Sequence, residues 1–119
     1  MEENLLNLCL QMKKINKKSQ ERLQTVLIGE TAPSFFEEVK PAFEEASDLA
    51  NAWSLEAEKW INAEKPKNLH KIQLDSTVEN FEQIVLQSFY KDTKQKRHKN
   101  MRESVDYILD LIIKDQQFS

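Results

Sequence analysis

The sequence predicts an all-α chain folded as an antiparallel up-and-down four-helix bundle, and three observations predict it. Apolar residues recur at steps of three and four along four separate segments, the period of one helix face. One Gly and three Pro in 119 residues are too little punctuation for a fold of short strands and turns. Apart from Pro41, these breakers fall between the four segments rather than inside them. With no internal repeat, Gly/Ser linker or low-complexity tract, residues 1–119 read as a single four-helix-bundle domain.

The first stripe is Leu5, Leu8, Met12, Ile15, Ser19, Leu23 and Val26, widened by Leu6, Cys9 and Leu27. It stops at Gly29, placed for a left-handed helix C-cap, and Thr31-Ala32-Pro33 makes a short connection. Ser34 with Glu37 has the capping-box spacing for a second helix. Its stripe runs Phe36, Val39, Phe43, Ala46, Ala50, Trp53, Ala57 and Trp60. Pro41 interrupts it, because the ring crowds the Glu37 carbonyl and one N–H is lost; a kink, or a short helix 34–39 before a longer one, is expected. Lys65-Pro66-Lys67-Asn68 ends this helix, since the residue before a proline is driven out of the helical region. Leu69 to Leu74 reads either as loop or as an early turn of the third helix, and Ser76 with Glu79 offers a second capping box. The third buried face is Leu74, Val78, Phe81, Val85 and Ser88; the fourth is Met101, Val105, Ile108 and Ile112, on a helix starting near Lys94 or at Asn100. The third and fourth helices read as shorter than the first two.

The net charge of −3 hides a segregated pattern. Lys13, Lys14, Lys17, Lys18 and Arg22 against Glu21 give residues 13–22 a local +4. Nine acids against Lys40 and Lys59 give residues 30–64 a local −7, and six cations against Asp92 give residues 91–102 a local +5. The simplest use of the pattern is intramolecular, with bands of opposite sign attracting across the surface. No stretch approaches the roughly 20 apolar residues of a membrane span, and the N-terminus carries no secretory signal pattern. A cytoplasmic protein without membrane contact is expected.

Tests for chemistry exclude more than they find. A carboxylate-bridged di-iron bundle needs Glu-x-x-His twice, but Lys67 stands three before His70 and Gln95 three before His98. One cysteine and two histidines at unrelated spacings make no zinc motif. Met12 and Met101 sit at core spacing, and Cys9 borders the first stripe as a buried, inert thiol. A single glycine rules out a Gly-rich phosphate loop. No cofactor or metal is expected. The one candidate polar pocket would lie near His70, Trp60 and Tyr107.

The run Phe35-Phe36-Glu37-Glu38-Val39-Lys40-Pro41, then Trp53, Pro66-Lys67 with His70, Asn80-Phe81, Leu86-Gln87-Ser88-Phe89, Lys96-Arg97, and Glu103-Ser104-Val105 with Tyr107, resembles the YppE-like family of small proteins from Bacillus-type Gram-positive bacteria. The resemblance covers nearly the whole chain and implies a left-handed up-and-down four-helix bundle of uncharacterised function. It brings no catalytic residues. The positions that match are Lys40, Pro41, Trp53, His70, Gln87, Ser88, Arg97 and Tyr107, while His98 stands where the family has an aromatic.

The expected function is a non-enzymatic protein-interaction module, a monomer or weak homodimer, that engages an unidentified protein partner. Bands of charge would orient the partner, and Phe35, Phe89, Tyr90 and Arg97 could supply the desolvated contacts. Two alternatives stand beside it. Lys94, Lys96, Arg97 and Lys99 could follow a nucleic-acid backbone, and the His70, Trp60 and Tyr107 neighbourhood could serve an enzyme or a small-ligand site.

Overall fold

The computed structural model describes residues 4–29 and 32–118, with side chains as far as Gln116. Thr31, part of the expected first connection, lies outside the described residues. Four α-helices form an all-α bundle: α1 (Leu5–Ile28), α2 (Lys40–Glu64), α3 (Lys71–Gln87) and α4 (Gln95–Phe118), with a π-helical turn over Phe35–Val39 in front of α2.

Each helix start follows local chemistry. The Asn4 side chain accepts from the Leu6 N–H at 2.8 Å and caps α1. Ser34 accepts from the Glu37 N–H at 3.3 Å, but the reciprocal bond comes from Glu38, whose Oε2 accepts from the Ser34 N–H at 2.8 Å. The wide π turn shifts the partner by one residue, and the Val39 N–H reaches back to the Ser34 carbonyl. Pro41 falls in the first turn of α2, where a helix has no need of its missing N–H. The α3 helix begins at Lys71, with His70 at the N-cap donating its backbone N–H to Gln73 Oε1 at 2.7 Å. Ser76 and Glu79 are therefore interior to α3 and cap nothing. Lys94, through the bond from the His98 N–H to its carbonyl, opens α4, so Asn100 and Glu103 also lie inside a helix. At 24 residues α4 equals α1 and is not the short helix expected.

Two corrections concern helix ends and aromatics. Gly29 is extended (φ −87°, ψ 166°), not left-handed, and an added Cβ would sit 3.3 Å from the Thr25 carbonyl oxygen. The left-handed cap belongs instead to Lys65 (φ 46°), which closes α2 with its N–H on the Ile61 carbonyl. Phe36 is 76% exposed rather than in the core, because the π turn rotates the start of the expected stripe outward. Phe89, offered above as a contact for a partner, is buried beside the α3 face, with the Arg22 guanidinium 4.2 Å from its ring centroid.

The core runs through all four helices and is built from Leu8, Met12, Trp53, Phe81, Ile84, Leu109 and Ile112. Small Ala46, Ala50 and Ala57 flank Trp53 on α2 and let the neighbouring helix approach. Trp53 Nε1 donates to Cys9 Sγ at 3.2 Å, and burial pushes the Cys9 thiol up to about 11, which keeps it protonated and unreactive. Contacts fix the order of the helices. Lys13 meets Asp110 and Asn16 meets Asp106, so positions rise along α1 as they fall along α4; Cys9 meets Trp53, and Ser47 meets Glu82. No described helix is long and apolar enough to cross a membrane.

Candidate functional site

The two basic bands, some 70 residues apart in sequence, arrive on neighbouring helices of the same face. Between α1 and α4 lies a groove in two adjoining hollows of about 590 and 450 Å³. Lys13, Lys14 and Lys17 stand on the α1 wall, and Lys96, Lys99 and Arg102 on the α4 wall. Leu10 at one end gives it apolar surface, and the buried Leu23 lies beneath it farther along. Glu103 and Asp106 enter it from α4. Like-signed bands thus face one groove, and no ion pair among the described residues ties either band to an acid of residues 30–64. The cross-band attraction that exists is at Arg22, whose charge Glu38 and Glu45 support.

Beneath the groove is a buried polar network. Asn16, 2% exposed, donates Nδ2 to the Arg102 carbonyl at 3.1 Å and to Asp106 Oδ1 at 2.8 Å. Those two bonds fix the amide's orientation and leave Asn16 Oδ1 without a partner; Ser19 Oγ, one turn on, is likewise buried and unpaired. His98 is completely buried, and its Nε2–H donates to the Ile84 carbonyl at 2.9 Å. That bond sets the tautomer, so Nδ1 is the acceptor facing the Arg102 guanidinium. Burial first, and then the Arg102 charge, hold the His98 pKa below its ordinary value of 6.5 despite the opposing help of the Ile84 carbonyl. His98 is neutral at pH 7. Burial also lowers the Arg102 pKa, opposed by Glu103 and Asp106, yet a guanidinium stays charged at any working pH.

Of the residues singled out in the sequence, Lys96 and Lys99 line the groove, whereas Lys40, Trp60, His70, Gln87 and Tyr107 are not among its lining residues. Lys40 is exposed where the π turn meets α2. Trp60 is half-buried and donates Nε1 to Asp115 Oδ2 at 3.1 Å. His70 is exposed at the α3 N-cap, and Tyr107, 62% exposed, lines a separate hollow between α3 and α4 with Ile72 and Ser104. No hydrogen bond or ring contact among the described residues joins Trp60, His70 and Tyr107. Gln87 bonds to Gln83 one turn back and lends its carbonyl to Thr93, while Arg97 is exposed beside the groove-lining Lys96. Among the described residues no group of three His, Cys, Asp or Glu could hold a metal ion.

Asn16 and His98 were the residues missed. Both carry a periodic signal: Asn16 fits Met12, Asn16, Ser19, Leu23 as well as Ile15 fits the original stripe, and His98 stands three before Met101 on the α4 stripe.

Comparison with known proteins places this architecture among relatives. A family model described as a bacterial domain of unknown function (DUF1798) matches residues 9–116. The uncharacterised protein YppE of Bacillus subtilis (strain 168) is 36% identical over 109 residues, spanning 92% of this chain and 89% of YppE. The crystal structure of that YppE superposes with a TM-score of 0.87 at 35% identity, over 92% of this chain and 89% of the other. A protein of unknown function from Listeria innocua has a TM-score of 0.88, over 97% of this chain and 94% of its own; at 24% identity it speaks to the fold alone.

Proposed function

We propose, from the premise that this chain belongs to the DUF1798 family typified by YppE, that it is a non-enzymatic, cytoplasmic protein-interaction module whose contact surface is the α1–α4 groove. The observation that carries the reading is the convergence of both basic bands on one groove, with their cations left largely unneutralised by the acids of α2. Exposed charge of one sign on two walls orients a partner of the other sign and speeds its encounter. An antiparallel course for α1 and α4 supports it, because with Lys13 on Asp110 and Asn16 on Arg102 and Asp106 the 13–22 band meets the 91–102 band end to end along one groove.

Nucleic acid fits the groove less well. Glu103 and Asp106 interrupt the cationic track, and among the described residues the groove is lined by no aromatic side chain on which a base could stack. A small-ligand site at Tyr107 would have to work without the joint cluster of Trp60 and His70.

The test is a photo-crosslinking amino acid placed at Lys99 in the groove and, separately, at Glu56 on α2, with the adducts resolved by mass before and after nuclease. Discrete protein adducts from position 99 alone, unchanged by nuclease, are expected. Adducts that vanish with nuclease, or equal labelling from both positions, would overturn the reading.

A further inference from the structure

We infer that the occupant of the α1–α4 groove is an acidic amphipathic helix of another protein, an inference that rests on the groove being a protein-contact surface. Three features of the groove argue for this shape and charge.

The walls are cationic at helical spacing. Lys14 and Lys17 on α1, and Lys96 and Lys99 on α4, are each three residues apart and exposed, so each pair rises by about one turn. Carboxylates at successive turns of a docked helix would meet them in register.

The floor is mixed rather than uniformly charged. Leu10, 47% exposed, offers an apolar contact that a polyanion without an apolar face cannot use. From Leu10 to Gln24 the α1 wall has fourteen residue steps, roughly 21 Å at 1.5 Å per residue, which matches a helix of about four turns.

An extended segment would be poorly served. Binding as an added strand requires a free sheet edge to pair the backbone, and both walls here are helices whose backbone groups are already paired. A helix satisfies its own backbone and packs its side-chain ridge into the furrow between α1 and α4. The carboxylates Glu103 and Asp106 then restrict where the partner's own acids can sit, which sets register instead of merely attracting charge.

The probe is a fluorescein-labelled amphipathic peptide of about 14 residues, with Leu along one face and Glu flanking it, titrated into the full chain by fluorescence anisotropy. Poly-glutamate of equal charge and a single-stranded DNA oligonucleotide serve as comparators. Saturable binding of the amphipathic peptide is expected, weakened about tenfold by Lys14→Glu with Lys17→Glu, about equally by Lys96→Glu with Lys99→Glu, and severalfold by Leu10→Ser. These side chains are exposed, so unchanged melting temperatures should accompany the losses, and Lys40→Glu with Lys67→Glu should leave binding intact. Poly-glutamate binding as tightly as the peptide would remove the amphipathic helix, and DNA binding as tightly would remove the protein occupant. Association of the chain with itself in sedimentation, abolished by the same reversals, would give the groove to a second copy and overturn the inference. Absence of peptide binding while position 99 still crosslinks to protein would sink the helix and spare the contact surface; absence of both would sink the two together.

Discussion

Trp53 and Asn16 are both buried to within a few per cent, yet the helix packing around them follows opposite rules. Around Trp53 the neighbours are apolar, the alanines of α2 admit close approach, and the one polar atom has its partner in Cys9. Around Asn16 the seam between α1 and α4 is joined by polar bonds: Asn16 to Arg102 and Asp106, Lys13 to Asp110, and His98 to Ile84 close by. Two acceptors there, Asn16 Oδ1 and Ser19 Oγ, have no partner. Apolar packing supplies stability in proportion to area, whereas a polar seam supplies orientation and adds little net free energy. The side of the bundle that carries the groove therefore adds, to the apolar packing of Leu8, Met12, Leu109 and Ile112, a set of polar bonds that fix how α1 and α4 are oriented.

Changes at the two sites should separate. Trp53→Ala should cost about 3–5 kcal/mol in denaturant unfolding, because it removes the largest buried side chain and leaves a cavity in the core; a loss below about 1 kcal/mol would make the two regions alike. His98→Leu should cost less, about 1–3 kcal/mol, by leaving the Ile84 carbonyl and the Arg102 guanidinium without their bonds. It should also change the pH profile. With the folded His98 pKa depressed, the unfolded chain takes up the proton first, so its contribution is full above pH 6.5 and is lost progressively as the pH falls below that value. Melting temperatures across pH 5–8 should show a shallower acid slope in the Leu variant than in the parent. Ser19→Ala should stabilise by about 1 kcal/mol, since it removes a buried hydroxyl that has no partner; destabilisation would mean the hydroxyl is satisfied in solution. Smallest of all, Lys65→Gly should raise stability by up to about 1 kcal/mol by relieving the left-handed backbone at the end of α2, without touching either region.

The apolar side was legible in the sequence and the polar side was not. Ala46, Ala50, Trp53 and Ala57 announce the α2 face by their spacing, and Cys9 beside the first stripe is a buried thiol. Periodicity works where like residues repeat. Ser19 falls in the first stripe, but Asn16 and His98 occupy buried positions with polar side chains, and the Asn16 partners lie up to 90 residues away. The family could be read from the order of short motifs between Phe35 and Tyr107, but those motifs include Trp53, Phe81 and Val105, which are core. Lys40, Gln87 and Arg97 were drawn from that same pattern and scatter over the surface. The charge bands were visible in the sequence, but their partnership was not: adjacency of α1 and α4 closes the ring of helices, and no local signal encodes it.

One feature of the seam allows a direct test. Along residues 95–101, the first two turns of α4, His98 is the one fully buried side chain and Met101 packs half-buried against the core, so the wall that carries Lys96 and Lys99 leans on a neutral imidazole. Amide hydrogen exchange followed by mass spectrometry at pH 7.5 and pH 5.5, corrected for intrinsic rates, compares this segment with residues 47–57 and 77–85 around Trp53 and Phe81. Residues 95–101 should exchange faster than the Trp53 region at both pH values, and the gap should widen at pH 5.5, because burial and the Arg102 charge hold the folded His98 pKa down and the opened segment takes up the proton first. Equal protection of the two regions, or a gap that does not change with pH, would contradict the division between an apolar core that holds the bundle and a polar seam that presents its groove.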